Sequence, residues 1–268
     1  MSAILIAEHV TKSYPVNEAD LVAVRNLSLE IEEGELLCIL GASGCGKSTM
    51  LSLFAGFSAP TSGRVLLRGE PIAGIEPRCG MVFQSYALFP WKTVRQNIEF
   101  PLRMRGVARA ARREMADGFI DMVQLSGFAD HYPAELSGGM QQRVTIARCL
   151  AADPEVLLMD EPFAALDAMT RQVMQGELLR LQERSGKTIV FITHNLDEAL
   201  ILGHRIVVMS ARPGRIKTIV ENALPRPRGV SVQTSAPYSA LKTEIWNHVE
   251  EEVMHHVAAS RLAAPIGA

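Results

Sequence analysis

Apolar and polar residues alternate through residues 4–31, with Val22, Val24, Leu27, Leu29 and Ile31 in near register, as in half-buried antiparallel strands. The alternation then gives way to the unbroken run Leu36-Leu37-Cys38-Ile39-Leu40, which predicts a central strand covered on both faces. A glycine-rich loop follows at once, then a helix ending near Gly56. Residues 60–83 return to strands and turns and close on Met81-Val82-Phe83. From about 92 to 150 the pattern is helical, with Arg-rich faces. After Pro154 the order is strand (Val156–Met159), helix (about 168–184), strand (Ile189–Thr193), a further helix and strand (Ile206–Met209). Alternating strand and helix imply a parallel sheet with helices on both faces. The helical stretch 85–150 is an insertion into it, so residues 1–84 and 151–220 form the main body. Residues 221–237 are Pro-rich and set off a tail, 221–268. Within the tail, Leu241, Ile245, Val249, Val253 and Val257 recur every four residues beside Glu250-Glu251-Glu252, an amphipathic helix expected to dock on the body. His248, His255 and His256 read as solvated histidines rather than metal ligands.

Composition changes this picture little. Of 268 residues, 48% are hydrophobic and 21% charged, ordinary for a globular domain, and the net charge of -2 gives no global basic field for nucleic acid. The four cysteines, Cys38, Cys45, Cys79 and Cys149, form no CxxC pair and read as reduced thiols. The start MSAILIAEHVTKSY lacks the basic and apolar regions of a signal peptide, and no apolar run approaches the roughly 18 residues of a membrane span. A membrane role therefore requires a partner. Arg103, Arg105, Arg109, Arg112 and Arg113 read as a solvated helix face.

Between the apolar run and its helix stands Gly41-Ala42-Ser43-Gly44-Cys45-Gly46-Lys47-Ser48-Thr49, a P-loop pattern G-x-x-x-x-G-K-[ST] in the strand–loop–helix context that the motif requires. Glycines let successive backbone N–H groups turn toward phosphate oxygens, and the helix behind offers its positive N-terminal end to the same anion. Lys47 is expected to reach the β- and γ-phosphates of ATP, and the Ser48 hydroxyl to bind Mg²⁺. Cys45, inside this turn and two residues from Lys47, is expected to carry a lowered pKa and to react readily with alkylating agents.

The strand Val156–Met159 ends in Asp160-Glu161. In a P-loop enzyme the first acid holds the Mg²⁺ shell, and the second is placed to orient and deprotonate a water beyond the γ-phosphate.

Leu136-Ser137-Gly138-Gly139-Met140-Gln141-Gln142-Arg143 resembles the LSGGQ signature of the ATP-binding-cassette (ABC) ATPase family, with Met140 where Gln is usual. Ser137 and two glycines opening a helix make a second anion-binding N-terminus, and one nucleotide does not need two from the same chain. The resemblance implies a head-to-tail homodimer in which the signature of one protomer (Ser137, Gly138, Gly139) caps the γ-phosphate lying on the P-loop of the other. It implies further that Tyr14 stacks on adenine, that Gln84 contacts Mg²⁺ and water, that Ala164-Ala165-Leu166-Asp167 forms the D-loop along the dimer interface, and that His194 touches the γ-phosphate. The fold it implies is α/β: a P-loop NTPase (RecA-like) core with an N-terminal antiparallel β subdomain and an inserted α-helical signature subdomain.

The function implied is an ATPase subunit, peripheral at the cytoplasmic face of the membrane, coupled to a transmembrane permease. The segments LFPWKTVRQNI and Met209-Ser210-Ala211-Arg212-Pro213-Gly214-Arg215-Ile216 resemble the nitrate, sulfonate and taurine importer branch, in which a periplasmic binding protein delivers a small anion. Phe89 and Trp91, either side of Pro90, would offer an apolar groove to the permease's coupling helix, or else fill the helical subdomain's core. A soluble ABC ATPase acting on DNA or the ribosome is the alternative. Against it, only residues 85–135 lie between Gln84 and the signature, without heptads for a long coiled coil, and the chain has one P-loop. A module that binds ATP without turnover is disfavoured by Glu161.

Overall fold

A computed structural model describes residues 2–16 and 19–263, with nothing stated for the side chains of Ala19, Val230, Val253 and those from His255 onward. The chain divides into two compact units, Met1–Glu76 with Val190–Ala268, and Pro77–Ile189.

The first unit opens with the long strands β1 (Ala3–Val16) and β2 (Ala19–Glu32), then β3 (Leu36–Leu40), helix α1 (Lys47–Phe54), β4 (Ser62–Leu67) and the short β5 (Glu70–Pro71). The second contains β6 (Cys79–Val82), α2 (Val94–Met104), α3 (Arg109–Met122), α4 (Gly138–Ala151), β7 (Val156–Asp160) and α5 (Ala168–Ser185). Strand β8 (Thr188–Ile192) leads back to the first unit, which continues with α6 (Leu196–Leu202), β9 (Arg205–Met209), β10 (Ile216–Glu221), the one-turn α7 (Val230–Gln233) and α8 (Ala236–Ala263).

In the first unit β2, β1, β4 and β5 form an antiparallel sheet in that order. Its alternation is imperfect because the β1–β2 register shifts between Ala7 and Val10, beside His9 at φ 49°. Beside this sheet the buried strand β3 pairs in parallel with β9, β10 runs antiparallel on the far edge of β9, and the Thr193 N–H donates to the Ile39 carbonyl. All five residues of β3 are buried, as the unbroken apolar run predicts. Each such aliphatic side chain removed from water contributes about 1.5–3 kcal/mol. A bidentate pair, Arg205 Nε and Nη2 to the Glu35 carboxylate at 2.7 and 3.0 Å, ties the start of β3 to β9. The Arg228 guanidinium donates to the Leu200 and Gly203 carbonyls at the end of α6, and burial pushes its pKa down to about 10.

In the second unit β6 and β7 pair in parallel and α4 packs on β6 as well as on α2 and α3. Strand β7 and α5 therefore group with the helices, and the division falls at 76/77 and 189/190 rather than at the 84/85 and 150/151 limits read from the pattern.

The tail helix docks within the first unit. Ile245 and Tyr238 are buried, Leu241 and Val249 half-buried, and the Tyr238 hydroxyl and Lys242 Nζ both bond the Asp197 carboxylate at 2.7 Å. The side chains of Val253, Val257, His255 and His256 lie outside the described residues; His248 is half-buried and its carbonyl accepts from Lys217 Nζ at 3.0 Å. Arg105 pairs with Asp153 and Arg112 with Glu99, while Arg103, Arg109 and Arg113 are exposed, the solvated face expected of that run. Among the described residues no helix is long and apolar enough to cross a membrane.

Candidate nucleotide-binding site

Strand β3 ends at Leu40 and the chain turns at Gly41, where a side chain has no room: a Cβ would stand 2.7 Å from Cys45 Sγ and 3.2 Å from Met209 Cβ. At Gly46, φ is 96° and a Cβ would sit 2.8 Å from the Ala23 carbonyl oxygen, so the last bend before α1 admits only glycine. Gly46 is the N-cap of α1 and supplies no side-chain acceptor, which leaves the N–H groups at the head of the helix without a side-chain cap. Lys47 is buried and its ammonium donates to the Gly41 and Ala42 carbonyls at 2.8 and 3.1 Å, inside the turn. Ser43, Gly44 and Ser48 are exposed, and Ala42 and Thr49 half-buried. A cradle of backbone N–H groups with one buried cation suits a polyphosphate.

Cys45 departs from expectation. Its thiol is buried, and burial raises its pKa above the ordinary thiol value despite Lys47 Nζ at 3.8 Å. It is a packed thiol under the turn, not a reactive one. The helix-terminus field is outweighed by the cost of charging sulfur in an apolar enclosure.

Two further predicted groups lie in this unit. Tyr14, half-buried on β1, has Lys12 Nζ 5.1 Å from its ring centroid. His194 is exposed at the head of α6, which Asn195 caps by accepting from the Asp197 and Glu198 N–H groups at 2.8 and 3.3 Å. The Thr193 hydroxyl, bonded to the buried Glu198 carboxylate and accepting from the Asn195 N–H at 3.0 Å, sets the turn that carries the imidazole.

In the second unit β7 is buried throughout and ends on Asp160, 9% exposed. Glu161 follows at φ 46°, a left-handed conformation unusual for a non-glycine residue and of the strained kind found at functional sites. Gln84 is exposed just beyond β6. Ser137 caps α4 by accepting from the Met140 N–H at 3.3 Å and is itself exposed.

The signature glycines have a packing role that no spacing reveals. A Cβ at Gly138 would lie 2.5 Å from the Tyr86 hydroxyl, and one at Gly139 would lie 3.3 Å from Leu166 Cδ2 and 3.4 Å from the Ala165 carbonyl oxygen. The Thr145 hydroxyl of α4 donates to the Tyr86 carbonyl at 2.6 Å. The segment after Gln84, the signature and the D-loop therefore form one packed cluster, and Tyr86 and Thr145, not singled out in the sequence, hold it. Asp167 caps α5, accepting from the Thr170 and Met169 N–H groups at 3.0 and 3.1 Å and from the Thr170 hydroxyl at 2.7 Å, and the Thr170 bonds above all hold its carboxyl below the usual range.

The Phe89–Lys92 turn is built by Asn97, which is fully buried on α2. Its side chain accepts from the Phe89 N–H at 3.0 Å and donates to the Phe89, Lys92 and Thr93 carbonyls. The two aromatics take different roles. Phe89 is half-buried, with its ring 4.8 Å from Phe100, whereas Trp91 is 70% exposed.

The family model for ABC transporters matches residues 24–164. An uncharacterized ABC transporter ATP-binding protein of Methanocaldococcus jannaschii is 48% identical over 95% of this chain and 94% of its own length. The taurine import ATP-binding protein TauB of Ruegeria pomeroyi is 46% identical over 91% of this chain and 94% of its own. A solved dimeric ATP-binding cassette in a post-hydrolysis state, bound to ADP and Pi, superposes with a TM-score of 0.75 at 36% identity, covering 81% of this chain and 98% of that one.

Proposed function

The chain belongs to the ABC transporter family, and from that premise we propose that it is the ATP-hydrolysing subunit of an importer for a small sulfonate-type anion, working as a homodimer. The observation that carries the dimer is the exposed, Ser137-capped head of α4: a second glycine-opened helix N-terminus besides the one behind the P-loop. It gains a phosphate to bind when a second copy presents its own P-loop. The dimeric cassettes among solved relatives support this arrangement.

In this reading the N–H groups of Gly41–Thr49 and the Lys47 ammonium bind the β- and γ-phosphates, and Tyr14 stacks on adenine. Ser48, Asp160 and Gln84 hold Mg²⁺; a hydroxyl, a carboxylate and an amide oxygen are the hard donors that ion prefers. Bound Mg²⁺ neutralises charge on the phosphate oxygens. Glu161 orients the attacking water and accepts its proton, His194 contacts the γ-phosphate, and Asp167 fixes the D-loop at the partner's surface. Closure of two copies excludes water and strengthens each of these contacts. Hydrolysis removes the group both copies share, so the dimer reopens.

Exposed Trp91 beside Phe89 is the proposed seat of the permease's cytoplasmic helix, and the subunit would then lie at the cytoplasmic face of the membrane. The taurine import relatives support the cargo class, and a periplasmic binding protein would deliver it. Glu161→Gln tests the core of the proposal. With ATP and Mg²⁺ it should elute as a dimer in size exclusion while phosphate release falls at least ~100-fold, the scale of a lost general base. A monomer that still hydrolyses ATP at the wild-type rate overturns it.

A further inference from the structure

The loop between β9 and β10 has no part in the site described above, yet it lies against the P-loop. Arg212 Nε donates to the Gly44 carbonyl at 2.9 Å, and the guanidinium covers that residue so closely that a Cβ on Gly44 would stand 2.7 Å from Arg212 Nη2. Two residues on, Gly214 is pressed against the same turn. A Cβ there would fall 2.0 Å from the Cys45 carbonyl oxygen, so the backbones are in direct contact.

The loop is held from three sides. Toward β2, the Gly214 N–H donates to the Ala23 carbonyl at 2.9 Å and the Gly214 carbonyl accepts from the Arg25 N–H at 3.0 Å. Internally, the Ser210 N–H donates to the Arg215 carbonyl at 2.9 Å and the Arg215 N–H donates to the Ser210 hydroxyl oxygen at 3.1 Å. From the tail, Glu252 of α8 accepts the Ala211 N–H at 2.8 Å, and its carboxylate is fixed by Lys217 Nζ at 3.1 Å. A charge-assisted acceptor thus grips the residue next to Arg212.

We propose that Arg212 is a positioning residue for ATP binding, holding the Gly44 peptide of the P-loop, and that Glu252 on the tail helix holds Arg212 in place. The chemistry follows from the peptide plane. In a trans peptide the carbonyl and the following N–H point opposite ways, so drawing the Gly44 oxygen outward to the guanidinium directs the Cys45 N–H inward to the Ala42 carbonyl, 3.3 Å away, and holds closed the turn whose other N–H groups meet the phosphates. Glycine at 44, at φ 75°, has no side chain to fix that plane. The outward bond to Arg212 and the inward bond to Ala42 together fix it, and the guanidinium adds a second positive charge to a turn that takes a polyphosphate. The tail helix becomes a brace on nucleotide affinity. This rests on the P-loop binding ATP.

The test is equilibrium binding of N-methylanthraniloyl-ATP, with steady-state turnover and thermal melting, on the full chain. Arg212→Gln should weaken nucleotide binding and raise KM for ATP about 3–10-fold, the range of one ordinary net hydrogen bond. kcat should stay within about twofold and the melting temperature should not change, a split that a merely structural role would not give. Arg212→Lys should recover part of the affinity. Glu252→Ala should weaken binding less, and the double variant no more than Arg212→Gln alone, because the two act in series. Lys47→Ala is the control that abolishes binding. Wild-type affinity in Arg212→Gln, with Lys47→Ala inactive, overturns the brace and leaves the site intact. Additive effects of Arg212→Gln and Glu252→Ala overturn the link to the tail. If the wild-type chain itself fails to bind the nucleotide, site and brace fall together.

Discussion

Ser137 caps α4 within its own chain, and the proposed dimer asks it also to face the γ-phosphate bound to the partner. Two substitutions separate them. Ser137→Ala removes the acceptor that the Met140 N–H uses, a loss of about 1 kcal/mol. In a chain of this size that lowers the melting temperature by about 2–4 °C. Ser137→Asp keeps the cap, since aspartate serves there as well as serine and its charge complements the helix N-terminus. It should therefore melt within about 1 °C of wild type. Across the dimer the same carboxylate meets the terminal phosphate. Two unit charges about 4 Å apart at an effective dielectric near 20 repel by about 4 kcal/mol, about a thousandfold in rate. Phosphate release at saturating ATP and Mg²⁺, read beside differential scanning fluorimetry, should rank the two variants in opposite orders. Stability should run wild type and Asp above Ala, and turnover wild type above Ala above Asp. Near wild-type turnover in Ser137→Asp, with an intact melt, would refute the shared-nucleotide dimer at its central contact.

Trp91→Ala removes an exposed ring held on a turn that Asn97 builds independently, so ATPase activity of the isolated subunit should stay within about twofold while co-purification with the permease is lost; unchanged co-purification removes Trp91 from the interface. For His204, burial first and then the charges of Arg226 and Arg228 push the imidazole pKa below its ordinary 6.5, and its Nδ1 accepts from the Leu36 N–H at 2.9 Å. A histidine depressed in the fold contributes stability above its unfolded value, and that contribution is lost as pH falls from about 6.5 through the lower folded value. Urea denaturation should thus show a steeper acid loss for wild type than for His204→Gln, which keeps an acceptor without a titration; parallel curves would exclude the residue. All four cysteines are buried and none forms a disulfide, with burial raising Cys45, pushing Cys149 up to about 12 and Cys38 higher still. Ellman's reagent should find no fast thiol in the native protein and four after unfolding; rapid labelling of Cys45 would restore the reactive-thiol reading.

The elements were readable wherever the hydrophobic period was clean. The unbroken runs 36–40 and 156–159 became strands buried throughout, and the four-residue repeat of the tail became α8. The unit boundaries were not, because whether β7 groups with the inserted helices depends on its pairing with β6 and on α4 packing there, contacts between segments far apart in the chain. Cys45 was misread for a related reason: local sequence showed a helix terminus and a lysine, while the enclosure that dominates its pKa comes from neighbours of the fold. Phe89 and Trp91 could not be told apart by sequence. In the fold Phe89 packs against Phe100 and under the Arg148 guanidinium while Trp91 stays exposed, contacts that come from other helices.

What the sequence alone determined is the phosphate-binding turn, the paired acids Asp160 and Glu161, the signature and their order, since each is a local requirement of backbone shape and side-chain chemistry over adjacent residues. Tertiary structure decided the rest: that Tyr86 leaves no room for a side chain at Gly138 and the D-loop only a tight one at Gly139, that Cys45 is sealed, and that Arg212 and Glu252 bring the distant tail to the back of the P-loop. These depend on distances between segments separated by tens to hundreds of residues, and a linear pattern holds no record of which surfaces meet once the apolar faces have been removed from water.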